Sequence, residues 1–152
     1  MPDASYPLPL LELTPRPDLG VLLGRWHYQP DEPAALRPCY RQLADVALAT
    51  NCRFWLQDLR RRASPDQETK RWLLADYYPA VAHRLGQRLF VAYLFSPSMY
   101  RQIVEAPDYA PPEAYDGMSY ALDFFGDEGT AIQWLQANQP AAAGAAGGAE
   151  RF

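Results

Sequence analysis

Asp58 closes the run Cys52-Arg53-Phe54-Trp55-Leu56-Gln57-Asp58-Leu59, which is followed at once by Arg60, Arg61 and Arg62 and then by Ser64. A carboxylate at the end of a buried apolar run can hold a cation or act as a base. It can also pair with an arginine of the following turn or accept backbone N–H bonds, and the adjacent arginines favour this second role. Arg60, Arg61 and Arg62 offer either a solvated turn or a docking point for an anion or an acidic partner beside a helix start. Ser64 is accounted for as a helix cap. A phosphate on it would still sit in a favourable field, next to helix amides and three arginines. Thr69 is the other nearby hydroxyl.

Aromatic residues form a second set. Trp26 and Tyr28 share one face of a strand, opposite His27. Tyr109 and Tyr115 lie in a long Pro- and Tyr-rich loop, and Tyr6, Tyr100, Phe124 and Phe125 can join one wall with them. Such a set is either ordinary core or a ligand pocket or dimer surface covered by the loop. His27 and His83 are the two histidines, and Cys39 and Cys52 the two cysteines, with no CxxC spacing. The cysteines suit reduced packing residues of a cytoplasmic protein, and neither a metal nor a cofactor is expected. No phosphate-binding glycine loop, nucleophile elbow or HExxH pattern occurs, so no residue anchors a catalytic claim.

These residues must be positioned by elements whose order the periodicity suggests. Tyr6 to Leu13, broken by Pro7 and Pro9, reads as an edge strand, followed by a turn at 14–18 and a returning strand over 20–28. A helix runs from about Pro38 to Thr50, with Leu36, Tyr40, Leu43 and Ala47 on one face. The run from Cys52 to Leu59 is a strand covered on both sides. Ser64 as cap and Pro65 at the first helical position open the next helix, which carries a stripe of Leu74, Tyr78, Val81 and Leu85 and stops at Gly86. A second buried strand covers 88–95. Ser96-Pro97-Ser98 opens a short helix to about Glu105, 106–117 is a loop, and 118–125 is the last strand. Asp127 caps the last helix, whose Ile132 and Leu135 face the core. The expected architecture is a single α/β domain over 1–138: an N-terminal antiparallel hairpin, then parallel strands in one mixed sheet with about four helices. The Ala/Gly-rich tail over 139–152 shows no packing pattern and is expected to be disordered.

The 152 residues suffice for one core, and the net charge of −4 provides no general attraction to nucleic acid or to an anionic membrane. No apolar run approaches the ~20 residues that would cross a bilayer. The N-terminus lacks the pattern of a signal peptide, which points to a cytoplasmic location.

The strand ending in Asp58-Leu59, the Tyr77-Tyr78-Pro79 late in the following helix, the segment FVAYLFSP and the closing FFGDEGTAIQWL together resemble the STAS / SpoIIAA-like family. That family includes anti-sigma-factor antagonists and the cytoplasmic domains of sulfate transporters. The likeness spans roughly Tyr6 to Ala137. Its most specific piece, Phe125-x-Asp127-Glu128-x-x-Ala131-x-x-Trp134-Leu135, is structural: a capped helix docking Ala131 and Leu135 on the sheet. The resemblance implies a non-enzymatic regulatory or protein-interaction domain with an unknown regulatory partner, and a homodimer is compatible with it. The chain departs from the family where antagonists carry a phosphorylatable Asp-Ser-x-Gly motif; here the region reads Arg61-Arg62-Ala63-Ser64-Pro65-Asp66. The alternative expectation is a binder of a small lipid, nucleotide or other anion, using Trp26, Tyr28, Tyr109 and Tyr115.

Overall fold

Five strands hydrogen-bond in the order β1-β2-β3-β4-β5 in the computed structural model, which describes residues 10–27, 32–61 and 66–140. β1 (Leu11–Arg16) runs antiparallel to β2 (Val21–Trp26), and β3 (Phe54–Asp58), β4 (Leu89–Leu94) and β5 (Tyr120–Phe125) follow in parallel. The expected α/β mixed sheet with an N-terminal hairpin is therefore present. The hairpin sits further along the chain than expected. β1 continues through Thr14 and Pro15, and the turn lies at 17–20, closed by the Leu19 N–H to Arg16 carbonyl bond and by Gly20 at φ 70°. Pro15 is tolerated because β1 is an outer strand. Tyr6 to Pro9 lie outside the described residues.

α1 (Leu36–Thr50) follows a 3₁₀ turn (Pro33–Ala35) and begins two residues before Pro38. Pro38 thus falls in the first turn, where its missing N–H would have had no intrahelical partner. Leu36, Tyr40, Leu43 and Ala47 are all buried on its inner face, as the spacing predicts.

The next helix differs from expectation at its start. α2 (Gln67–Trp72) is capped by Asp66, not by Ser64, and Pro65 is not its first residue. The Asp66 carboxylate accepts from Thr69 N–H at 3.0 Å and from Thr69 Oγ1 at 2.6 Å. An anionic cap that takes two bonds suits the positive helix end better than a neutral hydroxyl further back. α2 runs on through a π turn (Leu73–Tyr77) into α3 (Tyr78–Leu85), so these pieces form one helix of the four. Pro79 explains the wide turn, because its ring clashes with the carbonyl four residues back in a regular α-helix. The Tyr78 N–H bonds the Leu73 carbonyl, and the Leu74 carbonyl instead accepts from Tyr120 Oη at 3.0 Å. α3 ends at Gly86, in the left-handed region at φ 71°.

α4 (Pro97–Val104) is capped by Ser96, and α5 (Glu128–Ala137) by Asp127, both as expected. Ala131 and Leu135 are fully buried, while Ile132 is only partly so. The side chain of Gln139 donates to the Leu19 and Gly20 carbonyls, tying the chain end to the hairpin turn. Residues 141–152, the bulk of the expected disordered tail, lie outside the described residues.

Stepwise crossovers in one direction place their helices on one side of a sheet. The front face carries Leu22, Trp26, Trp55, Gln57, Val91, Tyr93, Leu122 and Phe124 in register. α1 covers it through Trp26–Tyr40, and the π turn and α3 through Trp55–Tyr77 and Trp55–Tyr78. Among the described helices, α5 covers the back face, where its Trp134 meets Phe90 and Phe125.

One polar contact is sealed inside the front layer: Trp26 Nε1 donates to Gln57 Oε1 at 2.9 Å, and both side chains are almost fully buried. Gly24 leaves room for that amide, since a Cβ there would stand 2.7 Å from Gln57 Nε2. Gly24→Ala therefore displaces a buried, bonded amide and is expected to cost about 1–3 kcal/mol in urea unfolding. Gln57→Leu, which removes the Oε1 acceptor of the indole N–H, is expected to cost about the same.

Candidate functional site

The carboxyl ends of the parallel strands carry two features, one on each face. On the back face, Asp58 ends β3 with its side chain only 5 % exposed. Arg60 clamps it in bidentate fashion, Nε to Oδ1 at 3.0 Å and Nη2 to Oδ2 at 2.8 Å, and adds its backbone N–H at 3.1 Å. Arg25, on the neighbouring strand, donates Nε to Oδ2 at 3.1 Å. Arg60 also reaches Glu128 in the first turn of α5 at 3.4 Å. Burial alone would raise the Asp58 carboxyl; the bonds from Arg60 and Arg25 outweigh it and hold the group below its ordinary range.

This arrangement assigns Asp58 a structural job. Both oxygens are occupied, and a carboxylate whose pKa is depressed is a poor proton acceptor at neutral pH. Of the basic turn, Arg60 is neutralised by two carboxylates, Arg61 is exposed, and Arg62 and Ser64 lie outside the described residues. Thr69 is buried and bonded to Asp66, which removes it from the surface available for modification. Arg25 is a partner of Asp58 that nothing local in the sequence signals, because the pairing depends on β2 lying beside β3.

On the front face a cavity of about 590 Å³ opens between β4, β5, α2, the π turn, α4 and the 106–117 loop. Its lining includes five aromatic side chains, Tyr93, Phe95, Tyr109, Tyr115 and Phe124, together with Leu59, Leu73, Leu74, Met99, Ile103 and Leu122. Tyr93 and Phe124 stack at 5.8 Å with nearly parallel planes, and Tyr109 leans against Phe124 at 6.1 Å. The buried Tyr93 hydroxyl bonds that of Tyr78. Tyr115 is anchored by Arg88, whose Nη2 donates to its carbonyl at 2.7 Å, and burial pushes its hydroxyl up to about 12. A short 3₁₀ turn (Pro112–Tyr115) gives the loop this inward anchor.

The structure brings Tyr109 and Tyr115 together in this cavity but does not bring Trp26 to them. Trp26 lies on β2, two strands from β4, sealed against Tyr40 and Gln57. Tyr28 lies outside the described residues. Phe125 points to the back face, toward Trp134, and so leaves the wall that Phe124 joins. The aliphatic lining and the rim residues Gln67 and Lys70 escape sequence reasoning, because their apolar or polar character already fits a helix face.

The remaining reactive groups are quiet. His27 Nε2 lies 3.0 Å from Glu12 Oε1, and Cys39 and Cys52 are free thiols. Burial pushes the Cys52 thiol up, away from reactivity. Among the described residues no group of three His, Cys, Asp or Glu side chains could hold a metal ion, and no helix is long and apolar enough to cross a membrane. Compared with known proteins, the chain matches no family model, no curated protein and no solved structure.

Two carboxylates should titrate with opposite signs. The Asp58 pKa is lower folded than unfolded, so its contribution is complete above the ordinary value of about 4 and is lost as pH falls below it. Asp58→Asn should flatten that acid limb and cost about 1–3 kcal/mol at pH 7 in chemical denaturation. Asp123, on the back face of β5, is raised by burial and by the negative charge of Glu113. Its charged form is disfavoured in the fold, so stability falls as pH rises through the carboxylate range, and Asp123→Asn should raise the melting temperature at pH 7.

Proposed function

We propose that the chain is a non-enzymatic, STAS-type sensory domain that binds a small, largely apolar molecule in the front-face cavity. The cavity itself supports this reading. It has the volume of a small-molecule site, sits at the carboxyl ends of parallel strands, and is lined by aromatic and aliphatic side chains with polar groups at the rim. The back-face cluster favours no chemistry, because its carboxylates and arginines satisfy one another.

A regulatory output fits the same geometry. Leu59 lines the cavity, and the next residues, Arg60 and Arg61, carry the chain onto the surface beside α5. Occupancy that shifts Leu59 would move the turn a regulatory partner could read. The free thiols of Cys39 and Cys52 suit a reducing, cytoplasmic setting. A homodimer would have to use more than the outer edge of β1, where Pro15 lacks a donor.

The test is a native mass spectrum of gently purified protein, paired with Ile103→Trp, which fills the cavity from α4. The expected result is an added mass on the wild type that the folded variant lacks. A clean polypeptide mass, with no thermal shift in an amphipathic ligand library, would sink the ligand reading.

A further inference from the structure

Lys70 is the chain's single lysine, and it stands exposed at the rim of the cavity on the wall supplied by α2. Among the described residues it makes no ion pair. Among the described residues only one other charged side chain lines the cavity: Asp108, exposed in the turn that the Tyr109 N–H closes onto the Ala106 carbonyl. An aspartate in such a turn has a local reason to be there. Asp58 and Glu128 are already held by Arg60, and the Asp66 carboxylate, one turn before Lys70, is bonded to Thr69. Arg61, exposed two residues beyond the cavity-lining Leu59, adds positive potential at this end of β3.

The described residues therefore offer no counter-charge inside the cavity, and an ionised group buried among them would be strongly disfavoured. An occupant must place an uncharged body inside and keep its charge at the mouth, where Lys70 is the cation among the described lining residues. Resting on the ligand-binding reading above, we propose that the site takes a small amphipathic acid. Its apolar chain or ring lies against Tyr93, Phe124 and Ile103, and its carboxylate or phosphate meets the Lys70 ammonium.

A single lysine makes the head-group contact directly observable. Reductive ¹³C-methylation of the full chain labels Lys70 Nζ and the terminal amine and keeps the lysine charge. Decanoate, 1-decanol and decyltrimethylammonium, matched in chain length, are then titrated while the methyl resonances are followed. Decanoate is expected to bind about ten-fold or more tighter than the other two and to move the Lys70 signal but not the terminal one. Lys70→Glu and Lys70→Met, both at an exposed position, should remove that preference, and Ile103→Trp should abolish binding. Equal affinity for all three probes, a preference for the ammonium, or undiminished decanoate binding in Lys70→Glu overturns the acid-head assignment while leaving an apolar cavity standing. Binding of none of the three overturns the cavity reading along with it.

Discussion

A carboxylate buried at the end of the central strand is the demand around which this molecule is arranged. β3 is buried along its whole length, and its last two side chains are polar. Burying either without partners would cost several times what a surface ion pair contributes. Gln57 is satisfied on the front face by the indole of Trp26, and Asp58 on the back face by Arg25 and Arg60. Trp26 and Arg25 come from β2 and Arg60 from the turn after β3, so the polar end of one strand ties together β2, that turn and, through Glu128, α5. Gly24 belongs to the same constraint, since only a missing Cβ leaves space for the amide beside it.

The second organising feature is a defect that the sheet absorbs. Pro79 cannot sit in a regular helix with the carbonyl four residues before it, and the chain answers with one π turn. The carbonyl of Leu74 then finds its donor in Tyr120 at the start of β5. The helix is thereby tied to the far strand of the sheet, and Leu73 and Leu74 are presented to the space beneath it. The Tyr77, Tyr78 and Tyr40 rings fill the rest of the layer edge to face.

The cavity follows from unequal cover. α1 and the long π-interrupted helix seal β2, β3 and the near side of β4. Only a two-turn α4 and a loop remain to cover the carboxyl ends of β4 and β5. The loop contributes tyrosines instead of a helix face, with Tyr115 pinned by Arg88 and Tyr109 resting on Phe124. Side chains on a loop meet the sheet at fewer points than a helix stripe does, and space is left between them. Rigid strands thus carry the floor of the site, and the loop carries one wall.

What the sequence determined by itself is local. The period of burial in 36–50, 54–58 and 89–94, the caps at Ser96 and Asp127, and the stop at Gly86 each depend on residues within one or two turns of one another. The neutralisation of Asp58 by a following arginine is of the same kind, being a contact two residues long. The tertiary structure decided everything that depends on which strand lies beside which. Arg25 joins Asp58 across 33 residues, Trp26 and Tyr109 part company because two strands intervene, and Lys70 reaches a cavity rim that α2 shares with β4, β5 and the 106–117 loop. Asp66 displaced Ser64 as the cap by a margin of chemistry that composition does not show: a carboxylate takes two bonds from Thr69 at the positive end of the helix. Side-chain pattern reports whether a position is buried; only the assembled sheet determines against what.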